Sequence, residues 1–429
     1  MKLKWNHKLK SGALQFTVFV AVLIALLLSA LILYAYTFIY MKEQSKGAIE
    51  NIQLSAIGIE YLLEQNEFNG DTLDIDFIKN ENQSVKVHLS PWGVFEKAFV
   101  VTQFRKKIFK KTAIIGSLIN SEEDPTLFLQ ETQNPLTVVG RTTIKGNVYL
   151  PTQGVKTGYI AGNSYYGKQL IYGAIKKSTS SMPKLNMSAV EALSFYLKEY
   201  KPLRPADYIN LESNQKIAVS FKNNTKGSYS KNKIVLQNKE ISGNVIIKSD
   251  TIICVKNTTF LKDVILIAPN VEIEEGVIGN FQVIASKRIT VGKMCKLNYP
   301  SALVLYQDNK TSSGLVSNTI FENKIFIDSG STIRGSVLSF QTKEMSDFQT
   351  QIILEKDARI KGQVYCNGNF ELKGRVSGSV YTKQFIANQA GSIFVNHIYD
   401  GVIENENTPI VFGGVIFENA PKTIMKWLY

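Results

Sequence analysis

A chain of 429 residues with 44% hydrophobic and 10% aromatic composition can fill two or three domain cores, which excludes a broadly disordered protein. The formal charge of +13 is spread along scattered lysines. The densest basic run, Arg105–Lys111, reads as part of a strand and its turn, and no nucleic-acid-binding module accompanies it, so no nucleic-acid partner is expected.

Residues 1–10 hold Lys2, Lys4, Lys8 and Lys10 and no acidic residue. From Ser11 to Tyr40 there are thirty residues without a formal charge. About 20 apolar residues span a hydrocarbon core as a helix, and only a helix satisfies its own backbone there. Residues 11–40 are therefore expected to form a single transmembrane helix. After it, Lys42 and Lys46 alternate with Glu43 and Glu50. That lysine asymmetry places the 1–10 tail in the cytoplasm and the bulk of the chain outside it. The setting expected is a bacterial inner membrane, crossed once, with the rest periplasmic or extracellular. The apolar run exceeds the 7–15 residues of a cleaved signal peptide, and no lipobox cysteine follows, since the first cysteine is Cys254.

Residues 41–65 continue as an amphipathic helix. Ala48, Ile49, Ile52, Ala56, Ile59, Leu62 and Leu63 recur at three- and four-residue steps, a stripe for a folded domain or a partner helix. Lys10-Ser11-Gly12-Ala13-Leu14, the apolar helix and the continuation Ala48-Ile-Glu-Asn-Ile-Gln-Leu-Ser-Ala56 together resemble the start of type IV pilin-like proteins, above all minor pilins and the pseudopilins of type II secretion. The resemblance covers about residues 1–65. It implies peptidase cleavage after Gly12, leaving Ala13 as the mature first residue, and self-assembly through the N-terminal helix. The family usually carries Glu at the fifth mature position, where this chain has Thr17.

From Thr72 the apolar period changes to two. Leu73–Phe77, Val85–Leu89, Ala98–Val101 and Thr112–Ile115 read as short strands, with turns at Pro91-Trp92-Gly93 and Asn120–Pro125. Residues 66–135 are thus expected to form a small β unit packed on the preceding helix.

A β-branched residue, any residue, Gly, any residue, then Val recurs beyond it. The pattern stands at Ile144-Lys-Gly146-Asn-Val148, Ile241-Ser-Gly243-Asn-Val245 and Ile333-Arg-Gly335-Ser-Val337. It returns at Ile360-Lys-Gly362-Gln-Val364 and Val376-Ser-Gly378-Ser-Val380, with Val277-Ile-Gly279-Asn-Phe281 as a variant. Between Val245 and Leu305 the apolar cores recur at steps near 20 residues. Such a period with short β runs in each repeat indicates a β-solenoid. The expected fold is mainly β, with residues 136–429 forming an interrupted right-handed β-solenoid that carries a helical insertion near 177–205. Within the insertion, Ser188 and Glu191 have capping-box spacing. Asn309–Asn318 and Gln341–Thr350 read as further insertions, and Lys422–Tyr429 as a cap on the last coil. The Gly-x-Val coils also resemble bactofilins, whose β-helix polymerises end to end.

Catalytic and metal motifs do not stand out. His7, His88 and His397 lack a triad partner at a recognisable spacing, and Cys254, Cys295 and Cys366 lack metal spacing and read as buried strand residues. No cofactor is expected. The function expected is a non-enzymatic, membrane-anchored component of an envelope assembly, most concretely a minor pilin or pseudopilin. A surface adhesin or binding module stays open, with glycan as a partner. So does a glycan-active β-helix enzyme, for which Asp250, Asp263, Glu272, Glu274 and Glu275 are the candidate carboxylates.

Overall fold

The computed structural model describes residues 11–65, 70–75, 83–120, 122–202, 204–308, 323–342, 348–405 and 411–428. The protein is mainly β with one long apolar helix at its N-terminus. That helix, α1 (Ser11–Glu64), runs unbroken for 54 residues, roughly 80 Å at 1.5 Å per residue. Every large apolar side chain from Leu14 to Met41 is exposed. By length and composition the helix suffices to cross a membrane.

The second half of α1 packs on an antiparallel sheet. The face it buries is not the stripe read from the sequence. Ala48, Ile49 and Ile52 are exposed, and Ile59 and Leu62 alone of that stripe are fully buried. Gly47, Asn51, Leu54, Ser55 and Gly58 complete the docked face. Small residues win these positions because the helix lies close: a Cβ on Gly58 would sit 2.7 Å from Val100 Cγ1, and one on Gly47 2.7 Å from Phe104 Cδ1. Asn51 adds polar ties, its Nδ2 donating to Lys107 O and its carbonyl accepting from Thr102 Oγ1 at 3.1 Å.

The antiparallel sheet runs in the order Thr72–Asp74, Gln83–Trp92, Phe95–Phe104, Lys107–Asn120 and Val411–Gly414, with Lys422–Leu428 also on the Lys107–Asn120 strand. Alternation sorts its two faces. Val85, Val87, Leu89, Ala98, Val100, Ala113 and Ile115 meet α1, while Trp92, Phe95 and Ile114 turn to the other side. The basic run Arg105–Lys111 does form a hairpin turn and the start of a strand. The end of the chain departs from expectation: Lys422–Leu428 pairs antiparallel with Thr112–Ser117 and completes this sheet instead of capping a coil.

Most of the remaining strands form one closed, parallel sheet; Leu136–Val139, Val155–Thr157 and His397–Tyr399 form a separate three-stranded parallel sheet, and Ser392–Val395 pairs antiparallel with Arg375–Gln389. The inward side chains of the closed sheet stack in columns. One reads Ile217, Ile241, Leu261, Gly279, Leu297, Ile333, Ile360, Val376, Ile403 and Ile144, each residue in register with the next. A second reads Ile247, Leu266, Val283, Leu303, Val337, Val364, Val380, Leu127, Val148 and Ile175. Nearly all are shielded from water, and each such side chain contributes roughly 1.5–3 kcal/mol by burial.

The columns show that stacking order is not chain order. Leu127–Leu129, within the span assigned to the small unit, already belongs to the parallel sheet. The segment from Leu127 to Lys177 stacks beyond Val376 and Ile403, at the end of the column remote from Ile217. The chain then travels back along the outside before winding through the levels in sequence.

That return carries α2 (Met187–Lys198). Its N-cap is Asn186, whose Oδ1 accepts from Ser188 N at 2.9 Å and from Ala189 N; the capping box at Ser188 is displaced by two residues. Ala192, Leu193 and Tyr196 pack over Ile246, Ile265, Ile267 and Ile284. The buried Lys248 Nζ donates to the Tyr196 and Leu197 carbonyls at 3.0 and 2.8 Å, placing a cation at the helix C-terminus. The insertion at Asn309–Asn318 lies outside the described residues, as do residues 343–347 of Gln341–Thr350.

The two sheets meet through Trp92, Phe95 and Ile114 on one side and Ile265, Ile284, Val304 and Leu338 on the other. Gln282 locks the contact: Nε2 donates to Trp92 O at 2.9 Å and Oε1 accepts from Val94 N at 3.0 Å. The recurring glycines occupy one corner of the parallel sheet. Gly335, Gly362 and Gly378 have φ near +140°, and a Cβ there would run into the carbonyl of the level below.

Candidate functional site

The residues singled out from sequence fall in separate places. Gly12 and Ala13 lie in the first turn of α1, exposed, with nothing within 4 Å of a Cβ at Gly12. Thr17, at the position where pilin-like chains carry Glu, turns its hydroxyl back to Leu14 O at 2.9 Å. The five candidate carboxylates have their own local roles. Asp250 accepts from Tyr229 OH at 2.5 Å, and Asp263 from Lys426 Nζ at 2.5 Å. Glu272 accepts from Cys254 Sγ, while Glu274 is held below the usual carboxylate range by the Asn257 N–H and then by Lys256. Glu275 is exposed. Glu272 and Glu274 alternate outward with buried Val271 and Ile273, a solvated strand face.

His88 is half-buried in its strand, with Nδ1 3.4 Å from Asp71 O. His397 Nδ1 lies 2.6 Å from Val395 O, and burial pushes its pKa down. His7 lies outside the described residues. Cys254, Cys295 and Cys366 are all buried and free. Among the described residues, no cluster of three or more His, Cys, Asp or Glu is arranged to hold a metal.

Side chains do converge in a cleft of about 610 Å³ where the glycine corner of the parallel sheet faces the antiparallel sheet. One wall is basic and polar: Arg334, Arg359, Lys361, Arg375, Ser377 and Glu404. The facing wall is apolar, formed by Ile119, Phe412, Ile424 and Met425 together with Tyr299. Tyr299 is fixed by donating its hydroxyl to Gly413 O at 3.2 Å and by tilting against the Phe412 ring at 5.1 Å. At the floor, Asp124 Oδ2 accepts from Asn120 N at 2.7 Å, and burial raises its carboxyl above the usual range. Arg375 and Glu404 form an ion pair at 2.6 Å.

Strand register explains the basic wall. Arg334 stands opposite Lys361, and Arg359 opposite Arg375, on adjacent parallel strands. Neighbouring strands lie about 4.8 Å apart, so these like charges are stacked directly. The lining thus has four cations against two carboxylates, Asp124 and Glu404. Such a wall can take up an anion; the facing wall can take up an apolar chain.

Sequence reasoning missed this cleft. A signal for half of it lay in the repeat: the residue before the glycine is Arg334 in one copy and Lys361 in the next. The other half comes from strands at the chain's end, which no local pattern links to the repeat. No protein-family model, curated protein or solved structure matches the chain.

Proposed function

We propose that this protein is a single-pass membrane protein in which α1 anchors a β-solenoid outside the cytoplasm, and that it serves as a non-enzymatic component of a bacterial envelope assembly in the manner of a minor pilin or pseudopilin. The observation that carries this reading is the continuity of α1. One unbroken helix joins a charge-free, wholly exposed segment to a segment docked on the antiparallel sheet. The β body is thereby held at a set distance from whatever the exposed segment enters.

The in-register columns support a solenoid: each level buries its Val, Ile and Leu only against the next. The lysines of residues 1–10 support a cytoplasmic N-terminus. The stripe containing Ile49 and Ile52 supports assembly through the helix. It faces away from the sheet, 56% and 49% exposed, and continues the apolar surface of the preceding segment. A like helix packed along that surface would cover it.

The mass of the N-terminus in protein extracted from its native membrane tests the assembly reading. A mature chain beginning at Ala13, methylated on its amino group, is the expected result. An intact Met1 end would contradict the pilin-like version.

A further inference from the structure

We propose that the cleft between the two sheets binds a phosphate group borne on an organic chain, the basic wall taking the phosphate and the apolar wall the chain. The inference is independent of the pilin-like reading and of any processing at Gly12.

Electrostatics carries it first. Arg334 over Lys361 and Arg359 over Arg375 are like charges in direct register, an arrangement that lowers stability. Of the four, Arg375 alone has a carboxylate partner, Glu404; Arg334, Arg359 and Lys361 have no ion-pair partner among the described residues. These three side chains are exposed, and a bound phosphate anion would relieve the repulsion between them. Guanidinium forks match phosphate oxygens two at a time, and lysine adds a mobile point charge.

A second observation is independent of charge. The wall facing the cations is apolar, formed by Ile119, Phe412, Ile424 and Met425, and Ser377 adds a hydroxyl on the basic side. The volume, about 610 Å³, exceeds the needs of one phosphate and leaves room for a chain along Phe412, Ile424 and Met425.

Two sources share this chemistry, a phospholipid headgroup and a soluble phosphodiester polymer. The test uses the full chain in phosphatidylcholine nanodiscs, titrated calorimetrically with tripolyphosphate, with thermal unfolding followed in parallel. Saturable binding and a rise in Tm are expected. In the R334Q/K361Q variant, binding weakens about tenfold or more, as expected for loss of charge-assisted hydrogen bonds, while the ligand-free Tm rises. The distant exposed pair in K222Q/K226Q is the control and leaves both unchanged. Displacement of tripolyphosphate by short-chain phosphatidylglycerol assigns the site to a headgroup; retained binding without displacement assigns it to a polymer. Absence of saturable binding, equal weakening by K222Q/K226Q, preference for polygalacturonate over tripolyphosphate, or a lowered ligand-free Tm in R334Q/K361Q would each overturn the proposal.

Discussion

Lys422 Nζ donates to Glu96 Oε2 at 2.7 Å in a site where the two side chains are only 2% and 4% exposed. The same ammonium donates to Gln65 O at 2.7 Å, so Lys422 ties the antiparallel sheet to the residue that follows α1. Burial pushes the Glu96 carboxyl up, and the charge of Lys422 and its hydrogen bond pull it back. Removing one member of a buried pair leaves an uncompensated charge. Lys422→Met is therefore expected to destabilise the fold by about 3–5 kcal/mol, while Glu96→Leu combined with Lys422→Met recovers most of the loss. A denaturant double-mutant cycle checks this; a loss in the double variant equal to the sum of the two single losses would mean that the pair is not coupled.

Lys97 gives a pH signature. Burial lowers its pKa to about 8, its ammonium lying 5.4 Å from the Trp92 ring centroid. The unfolded chain, titrating near the ordinary 10.5, binds more protons between those values than the folded protein. Stability from this group is therefore full above about 10.5 and falls as pH drops through about 8. Lys97→Met should remove that slope and stabilise the protein at pH 7. Unfolding midpoints measured between pH 7.5 and pH 10.5, ranges set by that shift, report it.

At the glycine corner, Gly362 has φ +140° and faces the Gly335 carbonyl. Gly362→Ala is expected to cost about 1–3 kcal/mol from the backbone alone, with more from the clash. Gly12→Ala, where nothing lies within 4 Å, should leave stability unchanged. Urea midpoints of the two variants separate a corner requirement from a general dislike of lost glycine.

The docked face of α1 is tested by opposite substitutions. Gly58→Leu should lift the helix from Val85, Val87 and Val100 and speed hydrogen exchange over residues 47–62. Ile52→Ser, on the exposed face, should leave that protection unchanged. Protection lost in the second variant and kept in the first would reverse the assigned faces.

The sequence made the long apolar helix, the strand periodicity and the glycine repeat legible because each obeys a local constraint: an unbroken apolar run, alternation, or a corner without room for a Cβ. The docked face of α1 was hidden because Gly47, Asn51, Ser55 and Gly58 are small or polar, and close approach rather than apolarity selects them. The placement of Leu127–Lys177 beyond Ile403, and of Lys422–Leu428 beside Thr112–Ser117, depends on pairings across more than two hundred residues. The cleft inherits that difficulty. Arg334 and Lys361 sit at one repeat position, but Phe412 and Met425 reach them only through the return of the chain to the antiparallel sheet.

The central claim, a β body held outside the cytoplasm by α1, is tested most directly by thiol labelling in intact cells. The native background is silent, since Cys254, Cys295 and Cys366 are buried and burial raises each thiol, that of Cys366 to about 12. Lys222→Cys places one reactive thiol on the exposed surface. A membrane-impermeant maleimide should label it in cells whose inner membrane is intact. Labelling that appears only after that membrane is permeabilised would put the β body in the cytoplasm and contradict the account.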